Sequence, residues 1–279
     1  MSQPEEPYDV YAVVYARFQR PSREYYIFSP DPHEGTRAIT YFLWVLRNSA
    51  RTIVVDCGYG EDAAKRRGRD LIRHPEAALK AIGVDAGTVP MVILTHMHFD
   101  HAGSVPSFPK AEFVVQEREV AYATGRPMRY PACRRVFDVE HVVDVVEANF
   151  RSRVRFVDGD AEVAPGVSVH LVGGHSGGLQ VVRVESKAGP MVIASDAAHF
   201  YDTVMEQNPH PVVASLPELC AGYERIFELG APPERVIPGH DPLVETLYPA
   251  HAGDKLTFDL CAEPLKPTPW QEWKSKSGG

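Results

Sequence analysis

A chain of 279 residues with 44% apolar and 24% charged residues has ordinary globular composition and can bury a sizeable core, so one large domain is expected over residues 1–279. Its formal charge of −8 at pH 7 speaks against nucleic-acid binding, which needs a clustered Lys/Arg footprint. The short basic runs KRRGR (65–69) and CRR (133–135) accordingly read as solvated faces.

No stretch of eighteen apolar residues could span a bilayer, and the start MSQPEEPYDV lacks the basic and apolar blocks of a signal peptide. A cytoplasmic protein with no membrane association is the expectation. Cys57, Cys133, Cys220 and Cys261 are scattered, with no C-x-x-C pair, and read as reduced thiols.

In chain order, YDVYAVVYARF (8–18), ITYFLWVLR (39–47) and TIVVDCG (52–58) are rich in β-branched and aromatic residues and predict strands. PEAALKAIG (75–83) opens on proline and closes on glycine, as a short helix does. MVILT (91–95) is a fully apolar strand, followed by the strand EFVVQ (112–116) and the helix EREVAYATG. VSVHLVGGH (167–175), LQVVRVES (179–186) and PMVIASD (190–196) predict further strands. LPELCAGYERIFELG (216–230) is helical, with Leu219, Tyr223, Ile226 and Phe227 on one stripe, and RVIPGHD (235–241) is a last strand and loop. TIVVDCG and MVIASDA are alike enough to suggest two similar halves.

Four apolar runs end in an acid or an imidazole: Asp56, His96, Asp196 and His240. Such groups are costly at a buried strand end unless they face a site. His96 stands in THMHFDHAG, where three histidines and an aspartate crowd six positions. Histidines this close repel or compete unless a cation organises them. His96, His98 and Asp100 share one side only if the segment is extended. His101 joins them only if the chain turns there, with Gly103 supplying the freedom. Two imidazoles at i and i+2 can grip one ion, which leaves Asp100 and His101 for a second. Further ligands are sought at His175 in GGHSGG, Asp196 in ASDA and His240 in PGHD. Of the remaining histidines, His33, His74, His141, His170, His210 and His251 are set aside and His199 is kept as a candidate.

THMHFDHAG, GGHSGG, SDA and PGHD, in this order and at these separations, resemble the metallo-β-lactamase superfamily over roughly residues 40 to 245. Within it, the chain is most similar to the N-acyl-homoserine lactonase group of dinuclear hydrolases. The resemblance implies an αββα sandwich of two mixed sheets flanked by helices. It implies that His96, His98 and His175 hold one divalent ion and Asp100, His101 and His240 the other, with Asp196 bridging and Asp56 orienting a ligand imidazole from behind. Zinc is the metal expected first, with iron, manganese or cobalt as alternatives.

The implied chemistry is attack of a metal-bridging hydroxide on a carbonyl, opening a lactone or related cyclic ester, with Asp100 carrying the proton to the leaving group. The expected partner is a small-molecule ester or lactone, and the protein is expected to be a monomer or homodimer. Two positions depart from the resembled pattern. Gly177 stands where proline usually follows GH[ST], and His199 stands where the lactonases carry a tyrosine that holds the substrate carbonyl. Three readings are open: His199 or Tyr201 substitutes for that tyrosine, the substrate differs, or both side chains simply pack against the sheet.

Residues 125–157 are expected to border the site as a lid or as a packed helix with Val139, Val142, Val143 and Val146 on one stripe. Met128, Tyr130 and Phe137 would supply apolar lining, and Arg129 or Arg134 would meet a polar group. The tail, a C-terminal arm from about 250, carries Trp270 and Trp273 as a strap or a loose end. Rival activities are a thioester hydrolase of glyoxalase II type, for which the fewer than forty residues after His240 leave little room, and a mononuclear-iron persulfide dioxygenase, which needs no second site. A metal-free binding protein is the non-enzymatic alternative.

Overall fold

The computed structural model describes residues 6–28 and 35–277; His33 and the first five residues lie outside the described part. The chain first lays down strands β1 (Asp9–Pro21), β2 (Thr36–Arg47), β3 (Thr52–Val55), β4 (Asp70–Leu71), β5 (Met91–Ile93), β6 (Glu112–Gln116) and β7 (Val154–Val157). Strands β8 (Ala161–Ala164), β9 (Val167–Leu171), β10 (Gln180–Ser186), β11 (Gly189–Ser195) and β12 (Val236–Pro238) follow, and β13 (Ala250–His251) and β14 (Asp254–Asp259) come last. One mixed sheet has the order β13-β14-β1-β2-β3-β5-β6-β7, with β4 beside β1, and the other the order β12-β11-β10-β9-β8.

Alternation along the central strands explains the layers. Val10, Ala12 and Val14 of β1, with Phe42, Trp44 and Leu46 of β2, lie on one face and share one core with Val181, Val182 and Ile193 of the smaller sheet. Tyr11, Val13 and Tyr15, with Tyr41, Leu43 and Val45, point to the opposite face. There the helices Glu61–Arg67, Pro75–Lys80 and Val139–Phe150 cover them with Ala63, Leu79, Val142 and Val145. Both faces are dry, so these strands read as nearly continuous apolar runs. The helix Leu216–Glu228 adds Leu219, Tyr223 and Ile226 to the core around the smaller sheet. No helix among the described residues is long and apolar enough to cross a membrane.

Two expectations change. Helix Val139–Phe150 buries His141, Val142, Val145 and Ala148, while Val139 and Val143 are exposed. The valine stripe read from sequence is therefore one step out of phase with the face that packs. Residues 250–259 are no arm, since β14 pairs with β1 at the edge of the larger sheet. Only the chain beyond straps down, through buried Trp270 standing edge-on to Phe227 at 5.1 Å between ring centroids.

Candidate metal centre

Four strand ends converge. β3 and β5 are parallel neighbours, so Asp56 and the segment Leu94–Asp100 leave the larger sheet together. β11 and β12 are parallel neighbours and deliver Asp196 and His240 from the smaller one. The two sheets are tied at this end by the Thr95 and Ser195 hydroxyls, 2.8 Å apart. Asp56 and Ser195 both adopt positive φ, 61° and 46°, which L residues rarely accept. The likeness of TIVVD and MVIASD is thus an equivalence of strand ends, one per sheet.

Past His96 the chain is not a strand: the amides of His101 and Ala102 both donate to the His98 carbonyl, and this turn brings His101 round to the same centre. Gly103 is needed for closeness rather than for backbone freedom, since its φ is not positive. A Cβ there would stand 2.5 Å from the Phe99 carbonyl oxygen and 2.7 Å from that of Gly58.

His96, His98, His175 and Asp196 place one ligand atom each within 4.8 Å of one another, and so do Asp100, His101 and His240. Asp196 reaches both sets with different oxygens. Its Oδ2 lies 3.1 Å from His175 Nε2, and its Oδ1 lies 2.9 Å from His240 Nε2 and 3.2 Å from His101 Nε2. Asp100 Oδ2 lies 3.6 Å from His101 Nε2 and 3.7 Å from His240 Nε2. The outward nitrogens are held: His101 Nδ1 at 2.7 Å from Asp56 Oδ2, His240 Nδ1 at 2.9 Å from the Thr40 carbonyl and His96 Nδ1 at 3.1 Å from the Thr95 hydroxyl. Such contacts fix the tautomer that offers the inner nitrogen as a ligand.

The donor set fits cations. His96 Nε2, His101 Nε2 and Asp196 Oδ1 are buried without a hydrogen-bond partner, which is costly unless something positive shares them. Burial and the rings of His101 and His98 hold His96 well below the usual imidazole range, and burial with His175 does the same for His98. Burial also opposes a charge on His101 and His240, but Asp196 and Asp100 outweigh it and raise both. Asp196 is held well below the usual carboxylate range because His240, His101 and His199 outweigh its burial. Imidazole and carboxylate ligands without thiolate suit zinc and similar borderline ions.

His199 lies inside the centre. Its Nε2 is 2.7 Å from Asp196 Oδ2, it forms a third compact group with Asp196 and His240, and burial lowers its pKa to about 4. Tyr201 does not reach the centre. Its side chain is buried in the apolar core, its hydroxyl has no hydrogen-bond partner, and its backbone amide donates to Asp241. Residue 200 and the start of the helix Tyr201–Met205 turn its side chain away. His210, set aside from the sequence, stands edge-on to His199 at 4.0 Å between centroids.

Gly177 has a steric reason. A Cβ there would stand 2.4 Å from Tyr122 Cγ, so the residue that replaces the expected proline admits the helix Glu117–Thr124 against the loop of His175. From that helix the buried Glu119 carboxylate accepts from the Met97 amide at 2.9 Å, the Gly178 amide at 2.7 Å and the Ser176 hydroxyl at 2.5 Å. It thereby fastens the two ligand loops together. Nothing in the sequence marks Glu119, because an acid on a helix reads as surface.

The centre floors a cleft of about 670 Å³, counted out to its open mouth, whose walls include Tyr25, Ile39, Tyr41, Phe99 and Val212. Of the segment 125–157, Phe137 packs edge-on to His98 at 4.6 Å and Val136 and Arg135 line the cleft. Tyr130 is exposed, and Arg134 bonds the Arg129 carbonyl instead of facing the cleft.

Comparison with known proteins agrees with this geometry. The Metallo-beta-lactamase superfamily profile matches residues 40–240. The N-acyl homoserine lactonase AttM of Azorhizobium caulinodans is 29% identical over 184 residues, 60% of this chain and 63% of that protein. The match thus spans a little under two thirds of that relative's length. A solved quorum-quenching N-acyl homoserine lactone lactonase aligns with a TM-score of 0.72 at 20% identity, over 86% of this chain and 95% of that one. An N-acyl homoserine lactone hydrolase with the product N-hexanoyl-L-homoserine bound at its catalytic metal center aligns over the same shares, with a TM-score of 0.70 at 21% identity. At these identities the structural likeness is one of fold.

Proposed function

Because the chain belongs to the metallo-beta-lactamase superfamily, we propose that it is a dinuclear metal-dependent hydrolase that opens lactones, N-acyl homoserine lactones or related cyclic esters. The observation that carries this reading is Asp196, whose two oxygens face two separate histidine sets. One ion would be held by His96, His98 and His175 and the other by Asp100, His101 and His240, with zinc as the proposed metal. When bound, such ions lower the pKa of water and polarise a carbonyl.

The protein's own groups supply the rest. Asp56 orients the His101 ring through its Nδ1, and Glu119 holds the loops of His98 and His175 in register. Asp100, at the cleft wall, takes the proton of the attacking water and delivers it to the ring oxygen as the acyl carbon–oxygen bond breaks. His199, kept neutral by burial, takes the place of the lactonase tyrosine: its Nε2–H, directed at Asp196 Oδ2 in this structure, would turn to the substrate carbonyl oxygen once Asp196 is engaged by the ions. Tyr201 has no part in this. A hydrolysis screen of lactones, esters and thioesters on metal-loaded protein tests the proposal. Opening of thioesters with no lactone turnover would move the assignment to the thioester class.

A further inference from the structure

The basic runs that read as solvated faces converge on the cleft. Arg67 and Arg69 from KRRGR and Arg135 from CRR line it, together with Arg20 of β1. The acids lining it, Asp100 and Asp196, both belong to the candidate metal centre. Arg67 is neutralised by Asp138, 2.6 Å away. Among the described residues Arg20 and Arg69 have no carboxylate within ion-pair distance.

These two form a built subsite. Both guanidiniums stack on the Phe18 ring, Arg69 at 4.0 Å and Arg20 at 5.3 Å from its centroid, and Arg20 also stands 5.9 Å from the centroid of Tyr25. Arg69 Nε and the Tyr25 hydroxyl are buried and make no hydrogen bond. Arg20 lies opposite Arg37 across β1 and β2, a like-charge pairing that costs stability, and Arg37 takes the nearby Asp202 for itself. Unused donors and uncompensated positive charge in one place call for an oxyanion.

The subsite is close to the centre by two routes. Phe18 pairs with Ile39, and Tyr41, two residues further along β2 and so about 7 Å on, packs against His240 at 5.3 Å. On the other side Tyr25 lies 6.1 Å from His210, which abuts His199. A single small molecule can therefore span both.

Resting on the lactone-hydrolase reading, we infer that the substrate carries a second, anionic group, a carboxylate or phosphate, remote from the scissile carbonyl, and that Arg20, Arg69 and Tyr25 bind it. The test compares acyl lactones of equal chain length ending in methyl, carboxylate or phosphate on metal-loaded protein. The charged chains are expected to be preferred at least about tenfold in kcat/KM, mainly through KM, with the preference shrinking as salt is added. Whether carboxylate or phosphate gains more identifies the group. R20Q/R69Q closes the gap between charged and neutral chains, and R20K/R69K keeps part of it. A neutral chain handled as well as the charged ones, or a gap that survives R20Q/R69Q, overturns the inference.

If no lactone is opened, the lactone reading fails and calorimetry with adipamate and the neutral hexanamide of equal length decides the subsite alone. Adipamate binding about tenfold tighter, with the advantage lost in R20Q/R69Q, upholds it. Equal binding overturns it.

Discussion

His199 Nε2 stands 2.7 Å from Asp196 Oδ2, so an imidazole occupies the side of the centre from which a substrate carbonyl would be held. His199→Phe preserves bulk but removes the donor, and kcat/KM for the best lactone is expected to fall about a hundredfold, the usual cost of losing an oxyanion donor. His199→Tyr is expected to recover most of it. Tyr201→Phe, whose hydroxyl lies in the core, is expected to leave steady-state kinetics unchanged. A loss with Tyr201→Phe equal to that with His199→Phe would show that the phenol reaches the substrate after all.

Asp56 accepts from the Thr95 amide and hydroxyl as well as facing His101, so it couples strand end, hydroxyl bridge and ligand ring. Asp56→Ala frees the His101 ring. Metal affinity, read by competition with a chromophoric chelator, is expected to drop about 10–100-fold at one of two sites. An equal drop at both would indicate general loosening instead.

Glu119 is fully buried, and burial raises its pKa against the hydrogen bonds it accepts. Glu119→Gln turns an acceptor into a donor facing amide N–H groups. Urea unfolding of metal-loaded protein should show about 2–4 kcal/mol of destabilisation. The neighbouring clash offers a cycle: Gly177→Ala should cost about 1–3 kcal/mol by overpacking against Tyr122, and Tyr122→Ala should relieve part of that cost. Simple additivity would mean the two residues do not meet.

Asp138 titrates below the usual carboxylate range because hydrogen bonds from Arg67 and Arg66 outweigh its partial burial. A carboxylate with a depressed folded pKa adds stability above its unfolded value near 3.8, and that stability is lost as pH falls through the folded pKa. Arg67→Gln should therefore flatten the acid limb of the stability curve below about pH 4. The effect is modest, because Asp138 is partly exposed and solvent screens the pair. An acid limb unchanged in Arg67→Gln would place the titration elsewhere.

The candidate ligands are legible in the sequence because their chemistry is local: an acid or imidazole closing a buried strand is costly and has few explanations. The apolar runs predict strands, whereas the sandwich they build is what the family resemblance implies. Residues whose roles depend on tertiary approach stayed hidden. His210 becomes part of the wall only when its loop folds over His199. Arg69 and Arg135 look like solvated charge until the segments around 68 and 135 meet across the cleft. Glu119 looks like helix surface until the loop of His175 covers it, and Gly177 looks like a loosened loop until Tyr122 fills the space beside it. The late strands at the sheet edge leave little trace in the sequence because Asp254–Asp259 alternates in polarity only weakly.

On the proposed reading, the seven residues gathered where the strand ends converge hold two ions that act together in ring opening. Titrating metal-free protein with zinc while following hydrolysis of one lactone tests it most directly. Activity should appear only as the second equivalent binds, with Asp100→Ala and His240→Ala reducing the stoichiometry to one and abolishing turnover. Full activity at one equivalent, or a purified protein holding a single iron per chain, would contradict it.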